Sequence, residues 1–260
     1  MIRSSSITCI VNDMEGSMLG IIFLLLLFIV SLLYSSVGHG GASGYIALMT
    51  VWGIEATTVK STALVLNCFV SLIAFIQYYR QGYFNWRLTF PFLITSVPMA
   101  YLGALMEVDG NVYKKILGGL LILSILRLVI MHDLSPRELR PLNLVIALLA
   151  GGAIGFLSGM IGIGGGILLS PLIVLAGWAG MKQTAATSAI FIFINSLAGL
   201  AGVFTKHQFT FSVSTTLWLG IALSGALIGA YWGSGFAAVK QMRYILAFVL
   251  TIASVKLLFF

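Results

Sequence analysis

The stretch Gly159-Met160-Ile161-Gly162-Ile163-Gly164-Gly165-Gly166 decides the fold of this chain. Five glycines in eight residues interrupt an apolar run, and the apolar segment that follows, 165–178, has 14 residues. A helix needs roughly 20 apolar residues to cross a membrane. The pattern therefore predicts a short, glycine-broken helix. Irregular backbone of this kind is tolerated at membrane depth only where it is buried in protein or lines a wet cavity.

A second glycine cluster, Gly38-His39-Gly40-Gly41, lies 124 residues earlier and precedes another short apolar segment, 41–53. Other features recur in the same order, and we pair Trp52 with Trp178, Val59-Lys60-Ser61 with Thr187-Ser188-Ala189, Asn67 with Asn195, and Leu102-Gly103-Ala104 with Ile228-Gly229-Ala230. This pairing requires an insertion of about four residues near 177–182. The shared order predicts two homologous repeats, an organisation that is common in transporters.

The composition requires lipid around most of the protein surface. Of the 260 residues, 60% are hydrophobic and 8% are charged, whereas soluble domains carry about 25% charged residues. No charged residue lies between Arg140 and Lys182. These features exclude a soluble fold and predict an all-α polytopic membrane protein with about 8–10 hydrophobic segments. The segments are 18–37, 41–53, 57–79, 88–106, 113–131, 142–161, 165–178, 184–204, 212–232 and 241–259.

The polar stretches divide the chain into four parts. We expect an N-terminal extension (1–17), a first membrane repeat (18–131), a polar connecting loop (132–141) and a second membrane repeat (142–260). If all ten segments cross, five per half, the repeats are inverted; if the short segments re-enter, the repeats are parallel. Both topologies stay open. The first segment follows acidic residues instead of a basic n-region, so we expect it to be retained as a helix.

The glycine clusters and the polar residues after them are the candidate site. A glycine-rich turn that opens onto a helix presents unpaired N–H groups at the positive end of the helix dipole, which suits an anion. The candidate substrate-binding residues are Gly40, Gly41, Ser61, Thr62, Asn67, Gly164, Gly165, Gly166, Thr187, Ser188 and Asn195. His39 and Lys60 are candidates for attracting the anion. Close helix packing by the glycines and hydroxyls, and an interfacial role for Lys60, stay open as alternatives.

Other functional classes lack their residues. Gly166 is followed by Ile167-Leu168, so the run is not a nucleotide-binding loop, which ends in Gly-Lys-Ser/Thr. Cys9 and Cys68 have no metal or redox spacing. We therefore expect no catalytic set, metal or cofactor, and not an enzyme. The net charge of +7 comes from single basic residues in connections, a pattern typical of cytoplasmic loops and not of nucleic-acid binding.

The chain resembles the TauE/SafE family of sulfite and organosulfonate permeases. The resemblance rests on the glycine run 159–166, Pro171, Ala186-Thr187-Ser188 and Asn195, and extends over roughly residues 18–260. The first half departs from this pattern, with His39 and Ala42 in the glycine cluster and Ala47 at the position of Pro171. The resemblance implies a multi-pass carrier of small, often sulfur-containing anions in the plasma (inner) membrane.

The leading hypothesis is therefore a transporter of sulfite, organosulfonate or a related oxyanion. The alternative is a permease for another small metabolite, such as an amino acid or a carboxylate. A membrane enzyme or a structural subunit is the third reading. The expected partners are a small anionic substrate and the lipid bilayer, without nucleic acid, and homo-oligomerisation stays open.

All seven acidic residues lie outside the apolar segments or at their edges, so a carboxylate ligand for a coupling cation is not expected in the membrane. We predict that transport is electrogenic and needs no sodium. The membrane potential alone supplies about 2.3 kcal/mol per charge per 100 mV. Flux measurements in sealed vesicles with an imposed potential check this, and a strict sodium requirement would contradict it.

Overall fold

The computed structural model describes residues 18–106, 139–210 and 213–236, together with the single positions 119, 122, 126, 240 and 251. Over the continuous ranges the chain forms eight helices: α1 (Met18–Ser36), α2 (Ala42–Val51), α3 (Ala56–Arg80), α4 (Trp86–Ala104), α5 (Leu144–Ile161), α6 (Gly166–Leu175), α7 (Met181–Thr205) and α8 (Val213–Gly235). The predicted extension 1–17, the segments 113–131 and 241–259, and most of the connecting loop lie outside the described residues.

The expected all-helical fold is confirmed. Eight of the ten predicted segments are helices with boundaries close to those expected from the sequence. Five of them, α1, α3, α5, α7 and α8, are long and apolar enough to cross a membrane. Helices α2 and α6 have 10 residues each, which is about half the length that a crossing needs.

Glycines set the ends of both short helices because their backbone takes left-handed angles. Gly41 precedes α2 with a φ of 91°, and Gly165 precedes α6 with a φ of 78°. Residues with a Cβ are disfavoured at such angles. The positive angles of Gly38, Gly41 and Gly53 recur 124 residues later at Gly162, Gly165 and Gly177. The two short helices therefore begin and end in matching turns.

Contacts between the helices give their relative directions. Helix α2 runs back along α1, because Tyr34 bonds Ser43 and the ring of Phe23 meets that of Trp52. Helices α1 and α3 therefore run in the same direction, and segment 37–55 returns through a glycine loop and a short helix. Helices α3 and α7 are antiparallel, because the contacts of Ser61, Asn67 and Cys68 reach Gln208, Ser196 and Phe193, in that order.

Stripes of glycine bring two helix pairs into close contact. Gly151, Gly155 and Gly159 of α5 lie against the carbonyl groups of Phe92, Ser96 and Ala100 in α4. In the same way Gly225, Gly229 and Gly233 of α8 lie against Phe28, Leu32 and Ser36 of α1. Both pairs are parallel, and α4 lies beside α5 along its length. Small residues every fourth position allow this backbone approach in membranes.

The lengths and positions of α3 and α7 give a register that differs from the pairing made from the sequence. Both helices have 25 residues, and they start 125 residues apart. The turns after them, at Gly82 and His207, both have positive φ and are again 125 residues apart. In this register Asn67 has the same position in its helix as Ile192, three residues before Asn195. If the halves are repeats, this register requires one extra residue in the second half instead of about four.

The helix directions also sort the basic residues. The Lys182 ammonium, at the start of α7, donates to the Tyr83 hydroxyl in the connection after α3. The backbone N–H of Arg140 donates to the carbonyl oxygen of Gly177, shortly before α7. These residues lie with Arg80 and Arg87 at one end of the bundle. Lys60 reaches the last residue of α4 at the other end, where α7 finishes at Lys206. The distribution is the one expected if all segments cross. A duplication with antiparallel α3 and α7 is an inverted one, and the duplication itself stays a prediction.

We predict that Gly155→Ala destabilises the protein, because the added Cβ would overlap the backbone of Ser96 in α4. Overpacking of this kind costs about 1–3 kcal/mol. Gly152→Ala is the matched control, since its Cβ would lie 3.7 Å from that of Thr95, an ordinary contact, and alanine adds up to about 1 kcal/mol of helix propensity. Thermal unfolding in detergent compares the two variants. Equal midpoints would show that the close approach of α4 and α5 is not stabilising.

Candidate functional site

The two glycine loops meet at the centre of the bundle. Asn67 is the twelfth of the 25 residues of α3, and Ile192 is the twelfth of the 25 of α7. A Cβ on Gly40 or on Gly164 would overlap the amide group of Asn67 and press on Ile192. Glycine is therefore required here for packing. Because α3 and α7 are long enough to cross a membrane, their midpoints place both loops near its middle.

Asn67 joins the two halves with three hydrogen bonds. Its Oδ1 accepts from the Ala42 amide, the first N–H of α2, at 3.2 Å. Its Nδ2 donates to Ser196 Oγ at 2.9 Å and to the carbonyl oxygen of Ile163 at 3.4 Å. The side chain is fully buried. Both of its N–H donors are thus engaged within the protein, and the amide acts as a strut between α2, α3, α7 and the second glycine loop.

Asn195 lies about one helical turn after Ile192 in α7, and its environment differs from that of Asn67. Its Nδ2 donates to the carbonyl oxygen of Phe191, four residues earlier, at 2.8 Å. Its Oδ1 is buried without a hydrogen-bond partner. A carbonyl oxygen can only accept hydrogen bonds, so the free group of Asn195 does not suit an anion. A cavity shared with Asn67, expected from the sequence, stays a prediction.

The beginnings of α2 and α6 differ because Ile192 stands where the first half has Asn67. The Asn67 oxygen caps α2, whereas the apolar side chain of Ile192 lies against Gly166, the first residue of α6, and offers no acceptor. Ser158 lies beside the same helix start, with its Cβ 3.3 Å from the position that a Cβ on Gly165 would take. Its hydroxyl is buried and has no hydrogen-bond partner. The polar groups at the start of α6 are therefore less satisfied than those at α2.

A chain of three side chains runs along the first turns of α6. His39 Nε2 lies 3.2 Å from Ser170 Oγ, and Ser170 Oγ lies 2.6 Å from Ser188 Oγ. His39 Nδ1 is 3.0 Å from the carbonyl oxygen of Val37. His39 and Ser188 are buried, whereas Ser170 is partly exposed. The structure therefore brings the predicted residues His39, Gly166 and Ser188 together through a serine that the sequence analysis did not select.

The remaining predicted residues lie elsewhere. Ser61 donates to the carbonyl oxygens of Thr57 and Gln208 near the start of α3. Thr187 accepts from Thr89 of α4 at 3.2 Å, and Thr62 Oγ1 is buried without a partner. Lys60 donates to the carbonyl oxygen of Ala104 at 3.4 Å, and its stem packs on Gly162. Lys60 and Ser61 are thus closer to one end of the bundle than to its centre.

Sequence reasoning missed four residues at this centre: Ser158, Ser170, Ile192 and Ser196. Ser170 precedes Pro171, four residues after the glycine run 159–166, so its position was available from the sequence. Ile192 is an apolar residue in an apolar helix, so the sequence does not mark it as a site residue. It matters because it has the position in α7 that Asn67 has in α3. Within the described ranges, no three His, Cys, Asp or Glu side chains gather in a way that could hold a metal.

Apolar helices of crossing length, with buried polar groups collected where two broken helices meet, are the features of a membrane transporter. Comparison with known proteins agrees, because the profile described as "Sulfite exporter TauE/SafE" matches residues 23–257. The chain belongs to the TauE/SafE family.

Three relatives have been given the same functional description. The probable membrane transporter protein y4hK of Sinorhizobium fredii is 36% identical over 256 residues, which cover 95% of this chain and 99% of that protein. The probable membrane transporter proteins MJ0441 of Methanocaldococcus jannaschii and YjnA of Bacillus subtilis are 28% and 26% identical. They cover 69% and 85% of this chain, and 70% and 92% of their own lengths. No solved structure matches the chain.

We predict that Asn67→Ala destabilises the protein more than Asn195→Ala does. The first variant leaves the Ala42 N–H, the Ile163 carbonyl and the Ser196 hydroxyl without their partner, and each unsatisfied buried group costs about 1–3 kcal/mol. The second removes one local bond together with an unpartnered oxygen. Unfolding midpoints in detergent measure both effects. A larger loss for Asn195→Ala would contradict the role of Asn67 as the strut.

Proposed function

We propose that the protein carries a small oxyanion, such as sulfite, an organosulfonate or a related sulfur oxyanion, across the cell membrane. We further propose that the anion binds at the start of α6. The family description supports the sulfur oxyanion, since the family is described as a sulfite exporter. The single observation that supports the position is the replacement of a capping amide by Ile192 at the start of this helix.

The chemistry at the start of α6 favours negative charge. A helix N-terminus carries the equivalent of roughly half a positive charge on its free N–H groups. Around it lie the hydroxyl of Ser158, which has no protein partner, and Ser170, which is partly exposed. The N–H groups of the helix start and the Ser158 hydroxyl are the groups that can donate hydrogen bonds to an oxyanion here. Glu55 is the one acidic residue in the described part of the chain, and it is exposed at the start of α3, so it does not repel an anion here.

A lysine lies near each end of the bundle. Lys60 donates to the last carbonyl of α4 at one end, and Lys182 donates to the carbonyl of Ser234 in α8 at the opposite end, at 3.0 Å. Both side chains lie at helix C-termini, where the dipole stabilises a cation. A positive charge raises the local concentration of anions around it. In our proposal the two lysines attract the substrate from either side, and the α6 site binds it between them.

The same proposal gives the protein an orientation in the cell membrane. Arg80, Arg87, Arg140 and Lys182 lie at one end of the bundle, against Lys60 and Lys206 at the other. Cytoplasmic connections carry an excess of Lys and Arg. We therefore propose that the end with Arg80 and Lys182 faces the cytoplasm of a multi-pass protein.

We predict that Ile192→Asn blocks the site, because an amide at this position would cap α6 as Asn67 caps α2. Binding of sulfite and thiosulfate should weaken at least about tenfold, which corresponds to the loss of about 1.4 kcal/mol. The thermal stability should be unchanged or higher, since a cap stabilises a helix by about 1 kcal/mol. Ile192→Val is the control and should behave as the unmodified protein.

Binding to the purified protein and uptake of labelled anions into proteoliposomes measure these effects. Acetate serves as the carboxylate probe that separates an oxyanion carrier of sulfur compounds from a carboxylate permease. Wild-type affinity and uptake in the Ile192→Asn variant would exclude the start of α6 as the binding site.

A further inference from the structure

The His39 ring contacts the backbone of both Val37 and Gly166, and the shorter contact, to Val37, assigns the hydrogen of the neutral ring to Nδ1. Nδ1 faces the Val37 carbonyl oxygen at 3.0 Å, and that oxygen can only accept, so Nδ1 carries a hydrogen. In the neutral ring Nε2 is then an acceptor. Ser170 must therefore donate to Nε2, and Ser188 must donate to Ser170. With a neutral His39, the hydrogen bonds therefore run in one direction: Ser188 donates to Ser170, and Ser170 donates to His39.

In this neutral state Ser170 has no hydrogen to offer a ligand. That restriction matters because Ser170 is the partly exposed member of the chain, whereas His39 and Ser188 are buried behind it. An oxyanion that reaches α6 would meet the lone pairs of Ser170 instead of a donor. With a neutral His39, Ser170 therefore repels the oxyanion that the start of α6 attracts.

A proton on His39 removes this conflict. Once Nε2 carries a hydrogen, it donates to Ser170 Oγ, which has two lone pairs and can accept from Ser188 at the same time. The hydroxyl hydrogen of Ser170 is then free to bond an oxyanion. The imidazolium adds a positive charge behind it, at the start of α6, where Gly166 lies next to the ring.

We propose that a proton on His39 Nε2 is a co-substrate, so that the protein moves its anion together with a proton; this rests on the proposed function. A doubly charged anion such as thiosulfate then carries one net negative charge across the membrane, so the prediction of electrogenic transport applies to doubly charged anions. The proton comes from water on the side to which the site is open and forms one N–H bond with the Nε2 lone pair. The anion binds to the charged state. On the opposite side the anion leaves, the N–H bond breaks, and the proton returns to water.

Among the ionisable side chains around the start of α6, His39 is the one suited to carry the proton. The ionisable side chains on the neighbouring helices are Tyr34 of α1, Tyr45 of α2, Lys60, Cys68, Tyr78, Tyr79 and Arg80 of α3, and Lys182 of α7, with none on α6. Tyr34 bonds Ser43, Tyr78 bonds the Ser36 carbonyl, and Lys182 bonds Tyr83 and Ser234. None is a carboxylate, and the imidazole of His39 is the group in contact with Ser170 that can take up a proton and then donate it in a hydrogen bond. In the second half Ile163 occupies the place of His39, so each cycle moves one proton.

The test uses the full-length protein in proteoliposomes with a pH-sensitive dye inside and thiosulfate outside, because thiosulfate does not itself titrate in this pH range. We expect thiosulfate entry to acidify the interior and to slow as the outside pH rises, by up to about tenfold per pH unit. In His39→Gln an uncharged amide donor replaces Nε2–H, so thiosulfate should enter without acidification and with little dependence on pH. His207→Gln changes an exposed histidine after α7 and should behave as the unmodified protein.

Ser170→Ala provides a second measurement that does not depend on replacing the histidine. It should weaken thiosulfate binding about tenfold in acid and leave binding unchanged in alkali, whereas a purely structural role would change both equally. Thiosulfate entry without acidification in the unmodified protein, or acidification that persists in a folded His39→Gln variant, would overturn proton coupling and leave the anion carrier intact. Absence of flux for sulfite, thiosulfate and isethionate alike would overturn the proposed function, and proton coupling with it.

Discussion

The amide of Asn67 makes the contact on which the centre of this protein depends. An apolar bundle offers few partners for broken backbone, and each unsatisfied N–H or carbonyl inside it costs several kcal/mol. Asn67 supplies an acceptor to the first N–H of α2 and donors to the second glycine loop and to Ser196. One side chain therefore satisfies groups from both halves, and both glycine loops are drawn to the midpoint of α3.

Close backbone packing follows from the same constraint. In a lipid environment apolar burial gives helices little reason to associate, so contact distance and polar bonds become decisive. The glycine stripes of α5 and α8 provide that contact with α4 and α1, and hydroxyl groups add bonds across helices, such as that of Thr95 to the Leu148 carbonyl at 2.7 Å. The glycines thus have two separate uses. Those with positive φ shape the loops, and those on helix faces set the spacing around them.

The centre is asymmetric although α2 and α6, and α3 and α7, have equal lengths. Asn67 closes the start of α2, whereas Ile192 leaves the start of α6 to Ser158, Ser170 and His39. The start of α2 is thus used for structure, and the start of α6 is left for binding. That difference agrees with our proposal of a single anion site, to which the first half contributes His39 and the second half Ser158, Ser170 and Ser188.

The sequence by itself determined the environment, the helices and the places where helices break. Composition, charge-free windows and glycine runs are local properties, and they predicted the eight described segments closely, including the two short helices. The tertiary structure decided which polar residues meet. Asn67 and Asn195 look equivalent in the sequence, but they have different roles. Helices α3 and α7 start 125 residues apart, so Ile192 has the position in α7 that Asn67 has in α3, and Asn195 lies about one turn further along α7. Hydrogen bonds act over about 3 Å, so partners such as His39 and Ser170, 131 residues apart in the chain, are determined by packing and not by sequence pattern.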